Sequence, residues 1–500
     1  FLFLYLRSAQ HPYLNEAAPA TWDALLAVIR RAPYPVRTPC DDPTVYHGAG
    51  NPGRSLTLIG LQLQEYLLYF NWQWAKGLAT AIPIGRGGLA FPLRTLVTLL
   101  FLYLGVRGTL LQRRTDRAGW WLLFVLWLIT GLGLVAYMNF KPAFSLGYGQ
   151  YPNPADHEVR DRDYFFLVSF AVWGLWAGIG LTGLVRDWLQ SGRARLRTGL
   201  GVLCVGALIP VALNWRAATR RGPDAMLPAD VAYDLLNTAP PYGILVTYGD
   251  NDTFPLWWAQ RVEGIRRDVT IVCLALGQTE WYMRQLRDLP TEPFDEAAAP
   301  SVWRGRHPTM PTWPLHTMSD EEIAAAVPQM ISRNSSVQVG PVVATIPAGT
   351  VLDPNDFLML RIVQQNAGRR PIVWSTTTGR QFSGLRRYVV QQGLGFRLVT
   401  TPTDSEPTPI AAPPLDEPLT HQLAWDTYRY SGLLDRESPD LEPSSAGFTR
   451  ALAMPFTRLA LAAEQRGDAA AVRANLERAV RLSPDPAIQA ALDRYRFSSP

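Results

Sequence analysis

"WWLLFVLWLITGLGLVAY", residues 120–137, contains no charged side chain. A helix needs about 20 such residues to cross the hydrocarbon core of a bilayer. Three more runs share this character: Leu89–Val106, Tyr164–Leu184 and Gly199–Trp215. Arg94 sits near the start of the first, where a long side chain can snorkel to the headgroups. Helices in soluble cores are rarely apolar on every side, so the four runs read as membrane spans. After about residue 218 the composition becomes that of a water-soluble protein. The averages of 48% hydrophobic and 18% charged residues hide this division. The fold class expected is a multi-pass α-helical membrane region, then an α/β domain, then a short helical tail.

The arginines set the orientation. The 107–118 loop carries Arg107, Arg113, Arg114 and Arg117 against Asp116, and the 186–198 loop carries Arg186, Arg193, Arg195 and Arg197 against Asp187. The positive-inside rule makes both cytoplasmic. Alternation then puts 138–163, 7–88 and everything after 216 on the external side. The net charge of +5 is therefore mostly a topology signal. No basic patch interleaved with aromatics points to nucleic acid. The cysteines, Cys40, Cys204 and Cys273, show no spacing that suggests a disulfide framework or a zinc site. Lys76 and Lys141 are the only lysines among 47 basic residues, the remainder being arginine.

Five segments follow. Residues 1–88 read as the end of a membrane helix ("FLFLYLR") plus an external loop, with a helix at Ala20–Arg31 and another through 61–74. Tyr66, Phe70, Trp72 and Trp74 of that second helix suit either the headgroup layer or a half-buried packing face. Residues 89–218 hold the spans. Residues 219–401 alternate short apolar strands (242–248, 269–276, 339–346, 370–376) with helices, which indicates an α/β layer with a mainly parallel sheet. The 290–338 stretch reads as an insertion or long loop. Residues 402–420 are a proline-rich linker, and 421–500 a helical tail. Within the tail, Leu459, Gly467, Ala479 and Pro484 fall at tetratricopeptide-like positions. One such repeat must pack on neighbouring helices or on a protein partner.

Three constellations could carry chemistry. "ADHEVRDRDYFF" (155–166) places Glu158, Arg160, Asp161, Arg162 and Asp163 at the mouth of a span, with Lys141 at the loop's entrance. The readings are a solvated flank, a site for a polar headgroup, or an ion or proton path. Carboxylates suit a helix N-terminus, and a compact ammonium suits a phosphate. "YGDNDTF" (248–254) brings Asp250, Asn251, Asp252 and Thr253 to the end of a strand, the usual ligand edge of an open α/β sheet. Asp250 and Asp252 could hold a divalent metal, although a helix cap by Asp252 or Thr253 is the simpler reading. "RSAQHPYLNE" (7–16) contributes Arg7, His11, Asn15 and Glu16, for which a structural role is the simpler reading.

Taken together, "RSAQHPYLNEAAPATW", "YFNWQWAKGL", "HEVRDRDYFF", "YGDNDTFPLWWAQRVEGIRRDV" and "RPIVWSTTTGRQFSGLRRYVVQQGLGFRLV" resemble one family across residues 1–400. It is the bacterial multi-pass membrane family grouped with the transmembrane protein O-mannosyltransferases of animals. The resemblance implies a GT-C-like glycosyltransferase of the bacterial inner membrane, with its large C-terminal part periplasmic. Such an enzyme moves a sugar, for example mannose, from a polyprenyl-phosphate donor to a protein or glycan acceptor, with no cofactor expected. The family's catalytic carboxylate lies in a first external loop, expected upstream of Phe1, so no residue here inherits that role. Lys141, Arg160 and Arg162 would balance the donor phosphate, and Glu158, Asp161 and Asp163 would hold those cations. The contrasting class is a non-enzymatic membrane-anchored scaffold that binds envelope partners. A transporter fits less well, because the spans carry few ionisable residues.

Overall fold

The computed structural model describes residues 1–30, 32, 38–45, 50–77, 87–193, 195–218, 223–379, 381–403, 412–435 and 443–497. Contacts divide the chain into two compact units. One is Pro35–Arg220, and the other joins Phe1–Tyr34 to Arg221–Pro500.

Among the described residues of the first unit, four helices are long and apolar enough to cross a membrane: Pro92–Thr115, Arg117–Met138, Asp163–Gln190 and Leu196–Trp215. A helix satisfies its own backbone, which lipid cannot do. In the Leu196–Trp215 helix only 6% of the apolar window is buried within the protein, so nearly all of its apolar surface faces outward. Glycine brings the first and third spans together. A Cβ on Gly108 would lie 1.7 Å from the Trp176 carbonyl oxygen, and one on Gly180 would lie 2.0 Å from that of Leu104. Small residues allow this approach of backbones, and dispersion forces then hold the pair in a solvent that offers no hydrophobic gain.

The Leu56–Ala75 helix packs in this unit, with Leu58, Leu61, Gln62, Glu65, Tyr66 and Tyr69 buried along one side. Ser55 starts it by accepting the Leu58 N–H at 3.1 Å. Trp74 stacks on Phe101 at 4.5 Å, and Tyr66 and Phe70 pack on Phe170. The 61–74 stretch is thus helical and packs one face on its neighbours.

The second unit begins with α1 (Leu2–Ser8) and α2 (Trp22–Ile29), then continues through α3 (Pro223–Thr238), β1 (Ile244–Thr247), α4 (Asp250–Arg261), β2 (Thr270–Cys273) and α5 (Glu280–Asp288). After these come β3 (Gln329–Met330), β4 (Ser335–Val339), β5 (Val342–Ile346), β6 (Val351–Leu352), α6 (Pro354–Asn366), β7 (Ile372–Ser375), β8 (Val389–Gln392) and β9 (Gly395–Leu398). The main sheet has the order β2-β1-β7-β9-β8. β1 pairs in parallel with both β2 and β7, whereas β9 runs antiparallel to β7 and β8. The sheet is therefore mixed rather than mainly parallel, because a β8–β9 hairpin occupies one edge.

β1, β2 and β7 are buried along their whole length. Both faces are covered, which is why these strands read as continuous apolar runs. Successive side chains enter opposite cores. Leu245 and Val373 join one cluster with Leu235 and Phe456, while Ile244, Val246, Ile372 and Trp374 join the other with Tyr282 and Ile362.

Two further readings change. The 339–346 run is not one strand: Gly340, at φ 59, turns it into the β4–β5 hairpin. The 290–338 stretch is not plain loop either, since it holds a short helix at Asp320–Ala324, β3 and β4.

The tail folds as α7 (Pro443–Gln465), α8 (Ala469–Leu482) and α9 (Pro486–Phe497). Gly467, at φ 75, and the Asp468 cap on Ala471 make the turn between the first two. Pro484 ends α8, as expected, but a third helix follows it. Phe456, Leu459, Ala479 and Leu482 are buried in the same cluster as α3 and β1. The tail thus packs on the α/β layer. Residues 404–411 of the proline-rich linker lie outside the described residues, and Leu415 beyond them bridges to Gln391 of β8.

Candidate functional site

The 155–163 cluster forms at one end of the first unit, where Asn139 stops the Arg117–Met138 span in a left-handed conformation, φ 44. That stop is heavily bonded. Arg54 donates to the carbonyls of Val135 and Ala136, both at 3.0 Å, and also to Gln62. Gln62 in turn donates to Asn139 Oδ1 at 3.2 Å, and Asn139 donates to the carbonyl of Asp41 at 2.7 Å. A cation on the last carbonyls of a helix satisfies orphan acceptors and opposes the helix dipole.

From this stop the chain loops out to residue 162. Glu158 accepts from Arg162 Nη2 at 2.7 Å and Nε at 2.8 Å, and from the Lys141 backbone N–H at 3.2 Å. Arg162 also donates to the Tyr164 hydroxyl at 3.0 Å. Asp161 accepts from the Tyr69 hydroxyl at 3.2 Å and from the Ser145 backbone N–H and hydroxyl. Lys141 Nζ donates to the Ala155 carbonyl at 2.9 Å, and Arg160 lies 5.8 Å from the Tyr164 ring centroid. Asp163 opens a short 3-10 turn that leads into the third span. Alternating charges therefore form an internally bonded network, with Glu158, Asp161 and Arg162 at its centre.

Two members of the site come from the Leu56–Ala75 helix and were missed in the sequence. Glu65 is 5% exposed and accepts the Ala143 N–H. Burial pushes its carboxyl up to about 8; the Ala143 bond opposes this and the nearby Glu158 and Asp161 charges add to it. Tyr69, buried beside it, bonds both Asp161 and the Arg162 N–H. The signal was present: Glu65 is the only acid in a 20-residue helix of otherwise apolar, aromatic and neutral polar residues. His157 completes the loop. It is buried, each ring nitrogen faces a carbonyl oxygen (Ala143 at 2.8 Å, Tyr151 at 2.7 Å), and its ring stacks on Tyr148. Chemically, the arrangement is a polar mouth that holds a guanidinium and an ammonium at the end of apolar helices.

The other constellations sit in the second unit. Asp252 Oδ1 accepts the Gly249 N–H at 3.0 Å; its Oδ2 accepts the Tyr248 N–H at 3.0 Å and the Thr377 hydroxyl. Thr253 bonds Thr247 at 2.7 Å. The helix starts earlier than the sequence suggests: Gly249 is its N-cap, and Asp252, the third residue, reaches back to the Gly249 N–H. The carboxylate thus ties the first turn of α4 to the ends of β1 and β7, and neither Asp252 nor Thr253 is the cap itself. Asp250 and Asn251 are exposed in the first turn of α4. Among the described residues no three His, Cys, Asp or Glu side chains gather as a metal-binding group. Near the N-terminus, Arg7 bonds Gln10 and Asn15 bonds Gln285, while His11 takes φ 50 and Glu16 lies in the turn that follows. These four do not converge on one point.

The family model described as TMEM260-associated domain 2 matches residues 228–307. The match runs from within α3 through β1, α4, β2 and α5. No curated protein and no solved structure matches the chain.

Proposed function

We propose that the chain is part of a membrane glycosyltransferase of the GT-C type, and that the membrane-edge network receives the phosphate of a polyprenyl-phosphate sugar. The observation that carries this reading is the TMEM260-associated domain in a chain with four membrane-length helices. TMEM260 is itself a proposed protein O-mannosyltransferase. Lys141, Arg160 and Arg162 would oppose the phosphate charge. Glu158 would fix Arg162, with which it is paired, while Asp161, bonded to Tyr69 and Ser145, and Asp163 would add the negative charge that favours cations at this loop. A donor lipid needs this combination: an apolar surface for its chain and fixed cations at the headgroup level. The acceptor would be a protein or glycan on the external, periplasmic face of the inner membrane, near the α/β domain. The packed tail gives the scaffold alternative less support, because its buried residues serve the chain's own core.

The test is sugar transfer by the full-length protein in vesicles, using a radiolabelled polyprenyl-phosphate mannose. Turnover is expected, with KM for the donor raised in an Arg160→Gln, Arg162→Gln variant that still assembles. Unchanged kinetics in that variant would remove the network from the donor site. Absence of transfer with any lipid-phosphate sugar would remove the enzyme reading.

A further inference from the structure

We propose that one face of α4 docks on the lipid bilayer surface and holds the α/β domain against the membrane. Phe254, Trp258 and Val262, the last just past the helix end, are 52%, 42% and 66% exposed. Their i, i+4, i+8 spacing makes them one stripe. The opposite side of the helix is used by the protein, since Leu256, Ala259 and Gln260 are buried. Tyr248 extends the stripe at the strand end and is 43% exposed. Aromatic rings flanked by polar groups are the side chains that partition into the headgroup layer.

What specifies lipid as the occupant is the rest of the same unit. In α1, Phe1 and Phe3 are each 71% exposed, and Trp22 of α2, stacked on Tyr5, is 63% exposed. An apolar helix with that surface seeks hydrocarbon. The segment that leaves it is fastened to the end of α4. The Arg261 guanidinium lies 3.2 Å from the centroid of the Tyr13 ring and is paired with Glu292. Gln285 of α5 locks the same segment, accepting the Asn15 N–H at 3.3 Å and donating to the Tyr13 carbonyl at 3.0 Å. From Leu6 to Tyr13 the chain can reach about 25 Å at most. A lipid-seeking helix and the aromatic stripe are thus parts of one body, clipped together at Arg261. This inference does not depend on sugar transfer, and it concerns a surface distinct from the membrane-edge network.

The test uses the full chain reconstituted in phosphatidylcholine vesicles. Cys40 and Cys204 are replaced by serine, and buried Cys273 is retained. A nitroxide is attached in turn at Trp258→Cys, at Val262→Cys and, as the water-exposed reference, at Val337→Cys on β4. The labels at 258 and 262 are expected to gain collisions with oxygen and lose collisions with a water-soluble nickel chelate, relative to 337. Free access of the chelate to 258 and 262 would overturn the proposal. So would protection of those labels from both reagents, since that marks burial by a protein partner or a second copy. Phe254→Cys gives the same readout if the tryptophan variant fails to fold.

Discussion

The Glu65 carboxyl group accepts the Ala143 N–H and so joins the Leu56–Ala75 helix to the loop that carries the charge network. Because burial raises its pKa to about 8, the native state holds a proton that the unfolded chain has lost by pH 6. The sign follows from linkage. Below about pH 4.5 both states are protonated and the contribution is complete; it declines as the pH rises toward 8 and is gone above it. The melting temperature of the membrane unit should therefore fall between pH 5 and 9. Glu65→Gln keeps the acceptor without the charge and should flatten that dependence. Equal slopes for the two proteins would reject the assignment.

Arg162 and Glu158 form a second testable pair. Their side chains are 22% and 10% exposed, so removal of one leaves a poorly solvated charge. Arg162→Gln should cost about 1–3 kcal/mol. Adding Glu158→Gln should recover a good part of the loss, as a double-mutant cycle on denaturation midpoints would reveal.

The glycine contact between spans makes a sharper prediction. A methyl group on Gly108 or Gly180 meets backbone, which cannot rotate away, whereas one on Gly174 has nothing within 4 Å. Gly108→Ala and Gly180→Ala should each lower the melting temperature in detergent, and Gly174→Ala should leave it unchanged. Equal effects at all three would mean that the two helices do not touch there.

Asp252 is committed to donors from the protein itself: the Tyr248 and Gly249 N–H groups and the Thr253 and Thr377 hydroxyls. Asp252→Ala should destabilise the α/β domain by about 1–2 kcal/mol, because it leaves the Tyr248 and Gly249 N–H groups at the start of α4 without their acceptor. Millimolar Mg2+ or Mn2+ should leave the stability of the unsubstituted protein unchanged, as calorimetry would show. A metal-dependent rise would restore the pair Asp250 and Asp252 as ligands.

The spans were legible because lipid demands about 20 apolar residues in succession, a signal that tertiary packing does not blur. β1, β2 and β7 were legible for a related reason, since burial on both faces leaves short runs dominated by Val, Ile and Leu with no charged residue. The hairpins were harder to read. The turn at Gly340 sits inside a run that is apolar on either side, and only its positive φ reveals the reversal. The membrane-edge site was half legible. Glu158, Asp161 and Arg162 stand out as charges in a loop. Glu65 and Tyr69 are remote in sequence, and only the packing of the Leu56–Ala75 helix brings them in.

The register of the main sheet has a consequence for synthesis. Ile244 pairs with Thr270 on one side but with Ile372 on the other, and the cluster beneath Leu245 is finished only by Leu482. A nascent chain thus carries an open edge at β1 until β7 has been made, and an incomplete core beneath Leu245 until α8 has followed. Premature termination anywhere before α8 should yield a sticky, protease-sensitive product rather than a smaller working domain, so the tail acts as a quality seal on the α/β layer.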